Sequence, residues 1–372
     1  MKNILPVSQH QIAAKLGISQ ATVSMALAGN PRVAKETRDH IIAAAAEMEY
    51  QPDPGLRALG RYRRALREPN FHATLGWVHN LKTPDWWHQS AVFRKFFDAA
   101  QKRAARFGYT LEDFWIDSAT VSPLRATEIL RARGISGLLL LPTFDEAPKI
   151  ELDWQHFTVV RIFDYQQGHP TMHLVGADHY ATMQNTLTRV LDLGYRRPGL
   201  VTSRHFERCF LSQYTSAYFG VACDSAEGTW PEIHHCDVFS AEAFTDWLRR
   251  EKPDVLILAY ISQHLRHTIE TLRKSSLRVP EDIGIAMLCL PDYPCEESGL
   301  PEFSGVNEQF ELMGERAIEL LVGQCENFER GLPETSTRHL IGGIWQDGNT
   351  LRSLTPKSSA PRKASRSRRN SE

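Results

Sequence analysis

Between residues 9 and 48 the apolar positions fall into three short helical patterns separated by turn-forming residues. Ile12, Ala13 and Leu16 recur at helical spacing behind Ser8, which is placed to cap the helix start. Gly17 ends that run, because a left-handed residue is cheapest as glycine. Ile18 plugs the corner, Ser19 caps a second helix from Gln20 to Ala28, and Val23, Ala26 and Leu27 form its narrow apolar strip. A core helix of this length shows apolar residues at about three positions in seven. Gln20, Thr22, Ser24 and Met25 are therefore left on an outward face that needs a partner. A third helix is predicted over Lys35–Met48, starting near Ala34 or Thr37, with Ile41, Ile42, Ala45 and Met48 turned inward.

From residue 71 the pattern changes to short apolar runs alternating with amphipathic helical stretches. Strands are predicted at 73–80, 110–116 and 137–142, then in TVVRIFD, HLVGAD, RPGLVTS, DVLILAY and IGIAMLCL. Helices are predicted at 90–108, with Val92, Phe96, Ala99, Ala100 and Ala104 sharing a face, and at 123–134. Alternating strand and helix means parallel sheets covered on both faces. So many units predict two doubly wound sheets, with a ligand cleft between them at the strands' carboxyl ends. The predicted fold class is an all-α helix-turn-helix head on an α/β body of two doubly wound parallel-sheet subdomains. The predicted boundaries are 1–52 for the head, 53–70 for a hinge helix and linker, 71–354 for the core and 355–372 for a disordered basic tail.

Composition changes this picture little: 42% hydrophobic and 23% charged residues describe an ordinary globular protein. No run of 18 apolar residues predicts a membrane span, and MKNILPVSQHQ lacks the apolar stretch of a signal peptide. The six cysteines lie in the second half without a CxxC pair, which suits reduced thiols in a cytoplasm. His234, His235 and Cys236 are read as a solvated loop, and no metal or cofactor is expected. No GxSxG, HExxH, P-loop or GxGxxG supports an enzyme.

Charge changes it more. The whole chain carries −1, but residues 1–70 hold ten basic and six acidic residues, and residues 355–372 hold six and one. A basic head and tail on an acidic body is the distribution expected when the head meets a polyanion. The tail's composition predicts added, salt-sensitive nonspecific affinity.

Helix, tight turn, helix, with Ala13 at the crossing and Gly17 four residues on, is the pattern of a DNA-binding helix-turn-helix. Its second helix enters the major groove by its N-terminal end. Gln20 there suits adenine N6 and N7, Thr22 and Ser24 suit phosphate or base, and Met25 suits a thymine methyl. Ser8, Ser19, Asn30 and Arg32 complete the expected DNA-facing set of this module. In YQPDPGLRALGRYRRALR, Pro52 and Pro54 end the head and Asp53 caps a helix too short to be stable alone. Leu59 among Arg57, Arg61, Arg63 and Arg64 has the make-up of a minor-groove wedge; a plain basic linker is the rival reading.

The stretch VSQHQIAAKLGISQATVSMALAGNPRVAKETRDHIIAAAAEMEYQPDP resembles the head of the lactose-repressor (LacI/GalR) family, with its TVS core, NPRV turn and Y-x-P end. LGYRRPGLV, RVPEDIGIAML and MGERAIELL resemble the family's body, so the likeness spans nearly everything but the last 18 residues. It implies a dimeric transcriptional regulator, a repressor on a pseudopalindromic double-stranded operator. It also implies two subdomains of periplasmic-binding-protein type, with the chain crossing between them more than once, and control by a carbohydrate effector. In the family, residues matching Gln20 and Ala21 select bases and the residue matching Leu59 enters the minor groove. Two positions depart: Met25 stands where Arg is usual, and Ala28 where Asn is usual, so operator sequence does not carry over.

Effector candidates are the residues after strand ends: Asn80 with Trp86 and Trp87, Arg161 and Asp164, Asp178, Arg208 and Tyr260. A tryptophan beside hydrogen-bonding side chains suits the apolar face and hydroxyl rim of a sugar, though a packed WW loop is the commoner use. Asp178 matches a family position near the effector. The family's Asp falls at Cys289 or Leu290, and its sugar-clamping Arg near Tyr214. Losing both charges removes charge-assisted bonds to hydroxyls. The expected alternative is thus a DNA-binding regulator whose core only dimerises.

Overall fold

The computed structural model describes residues 7–27, 33–48, 50, 73–117, 119–142, 149–163, 170–224, 230–259, 263–291 and 299–354. The predicted hinge 53–70, the tail 355–372, and Ala28, Asn30, Arg32, Arg57, Leu59, Asp164 and Tyr260 lie outside the described residues.

The head holds α1 (Gln9–Leu16), α2 (Gln20–Leu27) and α3 (Lys35–Glu47). A reciprocal capping box starts α1: the Gln11 amide donates to Ser8 Oγ at 3.4 Å, and the Ser8 amide donates to Gln11 Oε1 at 2.7 Å. Gly17 closes α1 in the left-handed region at φ 66°. Ser19 Oγ then accepts the Thr22 amide at 3.0 Å and caps α2. Ile12, Ala13, Val23, Ala26, Val33, Ile41 and Ala45 form the head's core, with Met25, Leu27 and Met48 at its margin. The predicted inward face of α3 is corrected at one position: Ile42 is 48% exposed, and Ala44 is buried instead. Positions 41, 44, 45 and 48 share one face of a 3.6-residue helix, whereas residue 42 lies a hundred degrees away.

The remaining elements follow in chain order as β1 (Ala73–His79), α4 (Ala91–Arg106), β2 (Tyr109–Trp115), α5 (Pro123–Ala132), β3 (Gly137–Leu140), β4 (Thr158–Ile162) and β5 (His173–Ala177). Next come α6 (His179–Asp192), β6 (Pro198–Thr202), α7 (Arg204–Cys209), α8 (Gln213–Asp224), β7 (His234–His235), α9 (Ala241–Glu251) and β8 (Val255–Leu258). The chain continues through α10 (Gln263–Lys274), β9 (Gly284–Met287), β10 (Ser304–Asn307), α11 (Phe310–Glu326), β11 (Arg338–Ile341) and β12 (Ile344–Gln346). Two compact units result. One contains Met1–Asp178, Cys209–Leu211 and Glu308–Gly342; the other contains His179–Arg208, Ser212–Asn307 and Gly343–Glu372. The chain thus passes between them repeatedly.

In the first unit the strands run β11-β5-β4-β3-β1-β2, all parallel. In the second they run β12-β10-β9-β8-β6-β7, parallel except that β12 is antiparallel to β10. Parallel strands need covering on both faces, which explains why β3, β4, β8 and β9 are buried at every position.

Trp77 anchors the first core, its ring centroid 5.7 Å from Trp87, 5.8 Å from Phe96 and 5.3 Å from Phe97. On α4 the buried face runs through Phe93 rather than the predicted Val92, which is half-buried. Helix α11 comes so close to α4 that a Cβ on Gly314 would lie 2.4 Å from the Phe96 carbonyl oxygen. Gly314→Ala is accordingly expected to destabilise the protein. It gains ~1 kcal/mol of helix propensity but overpacks backbone against backbone, a cost of ~1–3 kcal/mol. A urea midpoint unchanged or raised would contradict this close approach.

The His234–His235–Cys236 stretch is not the solvated loop expected. His234 and His235 form the edge strand β7, paired with Val201 and Thr202, Cys236 follows it, and the His234 ring lies 5.4 Å from Phe244 and 5.2 Å from Trp247. Burial lowers the His234 pKa, so the ring is a neutral aromatic neighbour. Cys236 is 3% exposed, and burial raises its thiol pKa. Among the described residues no group of three or more His, Cys, Asp or Glu could hold a metal ion. No helix among them is long and apolar enough to cross a membrane.

Candidate nucleic-acid interface and effector residues

The head fixes α2 from one side only. Val23 and Ala26 are buried in the core, while Gln20, Ala21 and Ser24 are exposed at and near the start of the helix. Ser19 Oγ is also 2.8 Å from Thr22 Oγ1, so both hydroxyls serve the cap, and Ser8 likewise caps α1. Met25 is half-buried against the head's core and presents only part of its side chain outward. A Lys15–Glu47 ion pair at 2.8 Å joins α1 to α3 and lowers the Glu47 pKa through the hydrogen bond from Lys15. The helix carrying Gln20 is therefore held rigidly with its first turn bare. That geometry suits insertion between phosphate rows.

In the first unit, Asn80 follows β1 and Asp178 follows β5, at the carboxyl ends of strands in one sheet. Arg161 does not follow its strand as expected. It lies inside β4, 3% exposed, paired in register with Leu140 and Leu174. The Asp178 amide donates to the Ile341 carbonyl at 3.0 Å, tying the end of β5 to β11. Of the two tryptophans, Trp87 is packed at 2% exposure, and its Nε1 donates to Asp113 Oδ2 at 2.9 Å. Trp86 is half-buried, 6.3 Å from Phe93, and carries the pair's outward surface.

Sequence reasoning missed what holds this loop. His79 is fully buried at the end of β1, its Nε2 3.0 Å from Asp113 Oδ1. The Asp113 carboxylate thus joins His79 and Trp87, and Trp115 Nε1 donates to the Leu81 carbonyl at 2.8 Å. These bonds pin the segment bearing Asn80 and Trp86 to the edge strand β2. The signal in the chain was His79 closing a buried, mostly apolar strand, with Asp113 in register on the neighbouring strand two positions earlier.

In the second unit, α7 after β6 is fastened by Glu207, which is 5% exposed. Its carboxylate accepts the Thr202 hydroxyl at 3.0 Å and the Thr215 amide at 3.3 Å. Arg208, the next residue, is exposed. Tyr214 is 1% exposed, its hydroxyl 2.7 Å from His179 Nδ1 and its ring parallel to Phe206 at 6.2 Å. It is a packing residue between α8 and α6. Cys289, half-buried just past β9, points its Sγ toward the Leu290 carbonyl at 3.8 Å.

Comparison with known proteins agrees with this build. Residues 10–53 match the bacterial regulatory proteins of the lacI family, and residues 187–342 match the periplasmic binding protein-like domain. The regulator AscG of Escherichia coli is 20% identical over 341 residues, covering 89% of this chain and 96% of AscG. The regulator Rv3575c of Mycobacterium tuberculosis is 24% identical over 288 residues, covering 76% of this chain and 73% of its own. Among solved structures, the complex of the transcriptional regulator CelR with cellobiose aligns with a TM-score of 0.56 at 20% identity, over 92% of this chain and 99% of that one. The Lac repressor dimer bound to operator and the anti-inducer ONPF aligns with a TM-score of 0.53 at 18% identity, over 94% and 100%. A helix-turn-helix head on a periplasmic-binding-protein-like body defines a DNA-binding transcriptional regulator. Residues 10–53 carry a head of the lacI-family type, and the chain is similar along most of its length to regulators that share it.

Proposed function

We propose that two copies of this chain bind a pseudopalindromic operator, each with α2 in the major groove, and that they repress transcription from a cytoplasmic, DNA-bound state. The observation that carries this reading is the exposed first turn of α2, Gln20 and Ala21, on a helix whose other side is locked in the head's core. A two-fold protein reads a two-fold site, and the Lac repressor was solved as a dimer on its operator. Asn30 and Arg32, with Arg57 and Leu59 from the linker sequence, complete the proposed DNA contacts.

The same reading proposes a small-molecule effector, a sugar or sugar derivative, with Asn80, Trp86, Arg161, Asp178, Arg208, Tyr260 and Cys289 as its candidate contacts. Tyr214 belongs to this set as a positioning residue, since its hydroxyl is already engaged with His179. CelR was solved with cellobiose, which supports the ligand class. An effector acts only through its differential affinity for two states, typically ~1–3 kcal/mol of coupling. The buried Tyr214 and the thiol of Cys289, standing where the family carries charge, favour the second reading of a core that only dimerises.

A thermal-shift screen of sugars and sugar acids separates the two. A true effector at a hundred times its Kd adds about 2.7 kcal/mol, so the melting temperature must rise, and Asp178→Ala must abolish the rise. No shift with any compound, in protein that still selects its operator, would favour the second reading.

A further inference from the structure

A cavity of about 220 Å³ lies within the second unit, lined by Thr182, Asn185 and Arg189 of α6, Val306 of β10, Gly343, and Trp345 of β12. None of these residues belongs to the effector set above. Thr182 is 3% exposed, and its hydroxyl has no hydrogen-bond partner among the described residues. A buried hydroxyl left unmatched is costly unless a ligand or water completes it. Gly343 keeps one wall bare: a Cβ there would sit 2.2 Å from Val306 Cγ1 and 3.5 Å from Thr182 Oγ1.

Two of the lining residues, Arg189 and Trp345, share a carboxylate that stands outside the lining. Asp347 Oδ1 accepts Trp345 Nε1 at 2.8 Å and Arg189 Nη2 at 3.3 Å. The hydrogen bond from Trp345, then that from Arg189, holds the Asp347 carboxyl below its usual range, so it is ionised at neutral pH. The Arg189 and Asp347 charges therefore cancel, and neither an anion nor a cation is selected. What remains at the lining is an indole with an apolar face, an exposed amide, a hydroxyl, and an arginine whose charge Asp347 offsets. The volume is on the order of seven waters at ~30 Å³ each, room for one six-carbon molecule.

We propose that this cavity is a second ligand site, taking a neutral polyhydroxylated molecule the size of one hexose. It stands independently of the effector reading. Its walls are rooted where the chain passes between units: Thr182 four residues after Asp178, Val306 just before Glu308, and Gly343 directly after Gly342.

Saturation-transfer NMR titrations of the full chain with D-glucose, D-galactose, D-mannitol and myo-inositol test the site. Two variants perturb it: Trp345→Leu removes the indole, and Asn185→Trp plugs the mouth from an exposed helix position, so that the fold is retained. At least one of the four probes is expected to bind saturably. Its affinity should fall tenfold or more in both variants and stay unchanged in Asp178→Asn. Three results would overturn the proposal: no saturable binding by any probe, binding that survives both variants when each is combined with Asp178→Asn, or binding lost equally in Asp178→Asn alone.

Discussion

Replacing Gln20 by alanine is expected to weaken binding to a selected operator by about 5- to 150-fold, which is ~1–3 kcal/mol, while affinity for random duplex changes little. The separation follows from where the side chain sits. Gln20 is exposed in the first turn of α2, makes no contribution to the head's core, and lies beside a cap that Ser19 maintains without it. Alanine is the better helix former, so the head keeps its shape. Phosphate contacts, which supply nonspecific affinity, belong to other residues and persist. Gel shifts on both DNAs decide the matter, and equal losses on each would remove Gln20 from base reading.

Ile41→Ala is expected to abolish specific DNA binding altogether. Ile41 is fully buried among Ile12, Val23 and Ala45 in a head of three short helices. Truncating a buried isoleucine costs ~2–5 kcal/mol, comparable with everything so small a domain has to spare. The two α/β units have their own cores, so their cooperative melting should be unaffected. Ile42→Ala is the matched control: that side chain is 48% exposed. A surface change of this kind stays within ~0.5 kcal/mol, and DNA binding should be retained. Calorimetry with a binding assay on both variants checks the pair. Similar damage from both would mean that the inward face of α3 has been misplaced.

The head was legible because its signals are local. Ser8, Gly17 and Ser19 act on neighbours within four residues, and the structure finds each doing so. The apolar strands of both sheets were equally plain, since a parallel strand buried on two faces has to be apolar throughout. Less visible were β7, β10, β11 and β12. Strand β11 is an edge with Arg338, His339 and Leu340 exposed, and only its pairing with β5 makes it a strand. On α4 the expected face holds at Phe96, Ala99, Ala100 and Ala104, and differs only in that Phe93 is buried in place of Val92, because both are apolar and only packing chooses between them.

Effector residues were the least legible, because their partners are distant in the chain. For the WW pair the sequence favours a packed loop without saying which ring packs, and it is Asp113, 26 residues beyond Trp87, that takes the Trp87 indole N–H. Tyr214 looked like a substituted ligand until His179, 35 residues back, took its hydroxyl. A strand-end position says where a side chain begins, and tertiary packing decides what it meets.

The most direct test of the account is selection of bound sequences from random duplex DNA by the full chain at moderate salt. Enrichment of a single pseudopalindrome is expected, with specific binding that Gln20→Ala weakens and random competitor fails to displace. Recovery of unenriched sequence, or binding that random DNA competes away in full, would contradict it.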